Sequence, residues 1–182
     1  MRATLLIALC AACAPVTVVP SATPSRPAST ASAGIPATLA AFAPSSDATI
    51  VEGGCGTTQV WKGSIPIELE RAAGDNAPHG LPVVYADPPV LAGFVFGYPL
   101  RAGRPTDRSN KILWVVSGGR TGPLTVDAHP ADAPQPAVHL TFPDNSGPGN
   151  IYPSSIDVPT PGCWHVALAW SGHTAQLDLV YR

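Results

Sequence analysis

The side chains in this 182-residue chain best suited to chemistry are five His, at positions 79, 129, 139, 165 and 173, and four Cys, at 10, 13, 55 and 163. Zinc and copper sites favour His at i and i+2 on a strand, or i and i+4 on a helix, with a carboxylate or thiolate to complete the shell. No two of these His have either spacing. Cys163 and His165 are two apart and would form half of a copper site if the thiol were free, with His173 further along the same segment. Met, the other soft ligand, occurs only as Met1. Copper binding is therefore an alternative, and the expectation is no metal and no cofactor.

Other residues suggest acid–base work. Glu68 and Glu70 on a strand would share a face about 7 Å apart, a separation that glycosidases use, but one outward-facing alternation produces the same pattern. Asp144-Asn145-Ser146-Gly147-Pro148-Gly149-Asn150 offers oxygen donors, yet a calcium loop of the EF-hand type needs a distal Glu and none follows Glu70. That stretch reads as a mobile loop. Trp61, Trp114, Trp164 and Trp170 would stack sugars if exposed; Trp114 and Trp164 sit on strongly apolar runs and belong to the core.

The elements that must position these residues are short strands. From Thr49 onward, apolar stretches alternate with clusters of Gly, Pro, Asn and Asp, the pattern of an all-β sandwich. Lys111–Val116 is apolar on both faces, as a central strand requires. Val90–Tyr98 is apolar but broken by Gly93 and Gly97. Leu124, Val126 and Ala128 alternate with Thr125 and Asp127, and Val138, Leu140 and Phe142 with His139 and Thr141. Ile65, Ile67 and Leu69 alternate with Glu68 and Glu70, although Pro66 restricts that run to an edge strand. No helix longer than a turn or two is expected.

The last unit is the clearest. Residues 163–170 and 174–181 flank Ser171-Gly172-His173, and a two-residue loop at Ser171-Gly172 pairs Trp170 with His173, Leu168 with Ala175, Val166 with Leu177 and Trp164 with Leu179. This register gathers the bulky residues on one face and sets His165 opposite Asp178 on the other. His–Asp is the orienting half of a catalytic triad, so these two are weak candidates for a hydrolase. No Gly-x-Ser-x-Gly turn supplies a nucleophile, and Ser117-Gly118-Gly119 and Ser154-Ser155 are ordinary turn chemistry. No catalytic residue is assigned, and the expectation is not an enzyme.

The amino terminus gives the compartment. One Arg, a short apolar run and small residues up to Cys13 form a lipoprotein-type signal peptide over residues 1–12, with Cys13 as the expected lipidation site and Cys10 its rival. Simple cleavage and secretion is the alternative. Residues 13–48 are rich in Pro, Ala, Ser, Thr and Val, with Arg26 and Asp47 the only charges, and read as an extended disordered tether. Cys55 and Cys163 remain, and a pair in an oxidising compartment is most economically a disulfide, closing a long loop and contributing about 4–5 kcal/mol in the chain-entropy model.

Pro159-Thr160-Pro161-Gly162-Cys163-Trp164, preceded by Pro153-Ser154-Ser155, resembles the carboxy-terminal Pro-x-x-Gly-Cys-Trp signature of a family of uncharacterised bacterial secreted proteins and lipoproteins. The resemblance spans roughly residues 53–182 and is specific only near Pro153–Trp164. It implies a compact β-sandwich with an early Cys bonded to Cys163, and it carries no activity and no catalytic residue.

Composition sets the outer bounds. The net charge is −2 and only 12% of residues are charged, with 22 Pro and 17 Gly. Scattered Lys and Arg exclude a nucleic-acid partner, and no apolar run is long enough to span a bilayer. From Thr49 onward there are still only 8 Lys and Arg and 11 Asp and Glu, alongside 16 Pro, so the low charge belongs to the domain. The resulting expectation is an exported, lipid-anchored immunoglobulin-like antiparallel β-sandwich over residues 49–182. It is held to the membrane by its amino-terminal lipid and meets a protein or cell-envelope partner through an uncharged surface.

Overall fold

The computed structural model describes residues 39–182 apart from Asp75, Arg104, Pro105 and Arg108. Cys10, Cys13 and the tether up to residue 38 lie outside the described residues. The chain runs β1 (Thr49–Cys55), β2 (Thr58–Lys62), α1 (Ile67–Ala73), β3 (Val83–Tyr85), β4 (Leu91–Val95), β5 (Lys111–Val116), β6 (Leu124–Pro130), β7 (Val138–Phe142), β8 (Ile151–Ser155), β9 (Gly162–Trp170) and β10 (His173–Tyr181). Two antiparallel sheets result, one ordered β1-β2-β3-β4-β5-β8 and the other β10-β9-β6-β7. This is the expected all-β sandwich.

Burial follows from which sheet faces are covered. In the four-stranded sheet, β6, β9 and β10 alternate between buried and accessible side chains, placing Val126, Trp164, Leu168 and Leu177 inward. They pack against Leu91, Ile112, Trp114 and Tyr152 of the six-stranded sheet. The middle of that sheet, β4 and β5, is apolar on both faces because its second face is covered too: Ala92, Phe94, Leu113 and Val115 lie under Leu69 and Ala73 of α1 and under Phe42. Strands covered on both faces read as continuous apolar runs, and strands with one wet face alternate. Trp114, Trp164 and Trp170 are all in the core, whereas Trp61 is half-buried.

The run Ile65–Glu70, read as an edge strand, is instead the entry to α1. Pro66 is the N-cap, Glu68 and Glu70 lie in the first turn, Arg71 in the last, and Gly74 closes the helix in the left-handed conformation. Acidic residues at the amino end, a base at the carboxy end and a terminal Gly all favour a helix. The buried pair Leu69 and Ala73 has helical rather than strand spacing.

The packed chain begins before Thr49. Phe42 is 3% exposed and donates its N–H to the Pro89 carbonyl at 2.6 Å. The end of the stretch read as tether thus supplies core. The Cys55–Cys163 disulfide, with Cα atoms 5.9 Å apart, joins the β1–β2 hairpin to β9 and so links the two sheets. The terminal hairpin has the register derived above, Trp170 to His173 through Tyr181 to Gly162.

Candidate functional site

The outer face of the four-stranded sheet is open except where the β1–β2 hairpin reaches it, and the strand register organises it into rows. One row runs His139, Asp127, Ala167, Gln176 across β7, β6, β9 and β10; the next runs His129, His165, Asp178; a third runs Thr141, Thr125, Ala169, Thr174. Each residue occupies the outward phase of an alternating strand whose other phase is core, so the same pattern that builds the interior presents this polar array.

His165 and Asp178 meet as their cross-strand positions require, with Nδ1 3.0 Å from Oδ1. The backbone N–H of Asp178 donates to Thr58 Oγ1 at 2.8 Å. The tip of the β1–β2 hairpin descends onto this strand at Gly56, which has φ +56°, and a β-carbon there would overlap the Asp178 carboxylate. Only a glycine permits both that backbone angle and that approach. His139 and Asp127 form a second pair at 2.5 Å, but their side chains are 73% and 65% exposed against 31% and 16% for His165 and Asp178. The inner pair is therefore the better shielded from water and the better held.

His129 was not singled out by sequence spacing. It lies opposite His165 on β6, the two ring centres 5.4 Å apart, and its Nδ1 is 2.8 Å from the Pro130 carbonyl and 3.0 Å from that of Ala133. Among the described residues, no group of three or more His, Cys, Asp or Glu side chains converges as a metal cluster.

Two adjoining clefts border the array. The larger, about 460 Å³, has Ala167 and Ala169 in its lining with Thr125, Asp127, Thr174 and Gln176 around them. Two small side chains in the middle of β9 create the depression. The smaller, about 340 Å³, includes Thr57, Thr58, Tyr85, His165 and Asp178. Asp87 and Gln176 line both, and they are positioned by reciprocal backbone hydrogen bonds of 2.7 and 2.9 Å that fasten the chain after β3 to β10. Burial pushes the Tyr85 phenol up to about 12, so its hydroxyl is protonated at neutral pH.

The other sequence candidates separate. Cys163, required as a thiolate for the copper alternative, is in the disulfide. His173 lies beside Trp170, their rings 5.8 Å apart. Glu68 and Glu70 share a helix, not a strand, so the two-residue spacing no longer gives them a common face. The Asp144–Asn150 loop is tied down rather than free: Asp144 accepts the Gly122 N–H at 2.7 Å, Arg120 donates to the Gly147 carbonyl at 2.8 Å, and Asn76 donates to that of Pro148 at 3.0 Å. The Asp144 carboxylate and these two carbonyls answer protein partners. No protein-family model matches the chain, and no curated protein and no solved structure is significantly similar to it.

Proposed function

We propose that the chain is an exported, lipid-anchored, non-catalytic binding protein of the cell surface, and that the clefts on the outer face of the four-stranded sheet hold its ligand. The signal-like amino terminus with Cys13 and the Gly-Cys-Trp resemblance support the location. The observation that carries the binding reading is the Ala167–Ala169 depression ringed by two carboxylates, two hydroxyls and the Gln176 amide. Its volume is that of a small-molecule site. With Asp87 and Asp127 in the lining and no Lys or Arg, it repels phosphates and other anions and suits a neutral or cationic ligand rich in hydroxyl or amino groups. A glycan unit has that chemistry.

The test is titration of the isotopically labelled protein with soluble neutral and amino-sugar oligosaccharides. Shifts confined to Thr125, Ala167, Ala169, Thr174 and Gln176, and lost in Ala167→Trp, are expected. Absence of shifts, or shifts unchanged by that substitution, sinks the reading. The anchor is tested separately, since Cys13→Ala should release the protein from the membrane fraction. The hydrolase alternative rests on the His165–Asp178 hydrogen bond, and it requires that His165→Ala abolish a turnover without lowering thermal stability.

A further inference from the structure

His129 and His165 face each other from adjacent strands, and the hydrogen bonds around them fix which nitrogen of each ring is free. The partners of His129 Nδ1 are two backbone carbonyls, those of Pro130 and Ala133. Carbonyl oxygens only accept, so Nδ1 carries the proton and Nε2 presents a lone pair. His165 Nδ1 meets the Asp178 carboxylate, which also accepts, so its Nε2 is likewise the basic nitrogen. Metal-binding His characteristically donates its other ring N–H to a carboxylate or backbone carbonyl, which fixes the ring and raises its basicity. Both supports are present on a pair that no sequence spacing announced.

The spacing fits as well. With metal–nitrogen bonds of about 2.0–2.1 Å and a near-tetrahedral angle, two coordinating imidazoles have ring centres roughly 5 Å apart. The observed separation is 5.4 Å, with the planes inclined at 44°. The scaffold is firm: β6 and β9 are the two central strands of their sheet, Asp178 is held by Thr58, and the disulfide anchors β9 two residues before His165.

We propose that His129 and His165 form a two-imidazole site for a divalent transition metal. Two protein ligands leave the remaining coordination positions to water or to a donor brought by a ligand, so the site is open and exchangeable, unlike a closed structural zinc site. With imidazole nitrogen as the donor, copper(II) is held more tightly than nickel or zinc. This site does not depend on the glycan reading, and its test uses metal alone.

The test titrates the full-length protein carrying Cys10→Ser and Cys13→Ser, so that no free thiol competes, and with the Cys55–Cys163 disulfide intact, with copper(II) chloride by calorimetry in a non-coordinating buffer. One equivalent should bind, and that transition should disappear in both His129→Gln and His165→Gln but persist in His139→Gln. Asp178→Asn, which leaves both imidazoles in place, should weaken binding about tenfold or more through loss of the supporting carboxylate. A measurement on the unaltered protein guards against variants that misfold: substoichiometric copper should broaden the imidazole signals of His129 and His165 before those of His79, His139 and His173. Earlier broadening of any of those three, or binding that survives both His129→Gln and His165→Gln, overturns the proposal.

Discussion

Asp47 shows what one exposed carboxylate does at the margin of this domain. It accepts the Ser64 hydroxyl at 2.7 Å and the Ser64 N–H at 3.0 Å, while Ser45 donates to the Ser64 carbonyl at 2.7 Å. Hydrogen bonds to the ionised form, the Ser64 hydroxyl first among them, hold the carboxyl down from 3.8 to about 2. Because the folded value is depressed, the clasp contributes fully above pH 3.8 and is lost as the pH falls through about 2. The expected result is a carboxyl carbon titration for Asp47 centred near pH 2, moving back towards 3.8 in Ser64→Ala. A midpoint indifferent to that substitution would falsify the clasp. The same residue-scale logic governs His129 and His165, where the identity of the acceptor at Nδ1, not the presence of a His, decides what Nε2 can do.

At the scale of elements, close approach between β4 and β5 is made possible by Gly93. A β-carbon there would sit 2.5 Å from Trp114 Cζ3 and 3.0 Å from Ile112 Cγ2, both on side chains that are fully buried. Trp114 has no free space to move into, so Gly93→Ala should cost about 1–3 kcal/mol through overpacking. Equilibrium unfolding in urea measures it, and a loss below about 0.5 kcal/mol, the size of an ordinary surface change, would show that the core yields. The Gly that breaks an apolar run in the sequence is thus what allows one of the three core tryptophans to lie there. Local pairings of this kind were readable: the Ser171-Gly172 turn fixed the β9–β10 register, and with it His165 against Asp178. The helix was misread because Ile65, Ile67 and Leu69 satisfy a two-residue period by coincidence, while Ile67 is in fact 49% exposed and the buried partner of Leu69 is Ala73. His129 was invisible for a different reason. Its meeting with His165 depends on β6 lying beside β9, two strands separated by the whole of β7 and β8, and no short-range pattern specifies that neighbour.

For the whole molecule, the sparse charge follows from how many sheet faces are covered. The sandwich interior hides one face of each sheet, and α1 with Phe42 hides the second face of the middle of the six-stranded sheet, leaving the outer face of the four-stranded sheet as the broad polar one. Even that face is built largely from Thr, Ala, His and Gln. The cover therefore matters to stability, and composition alone assigned part of it to the tether. Phe42 is nearly inaccessible and packs in the cluster with Leu69, Phe94 and Val115, so removing its ring leaves a cavity over the sheet. Phe42→Ala should lower the unfolding free energy by about 3–5 kcal/mol, comparable with the roughly 4–5 kcal/mol expected from opening the Cys55–Cys163 link. A chain beginning at Thr49 should lose at least as much as Phe42→Ala, since it also gives up the Asp47 clasp. If residues 39–48 were only a spacer, the shortened chain would unfold at the same urea concentration as one beginning at Leu39, and the domain would begin at Thr49 after all.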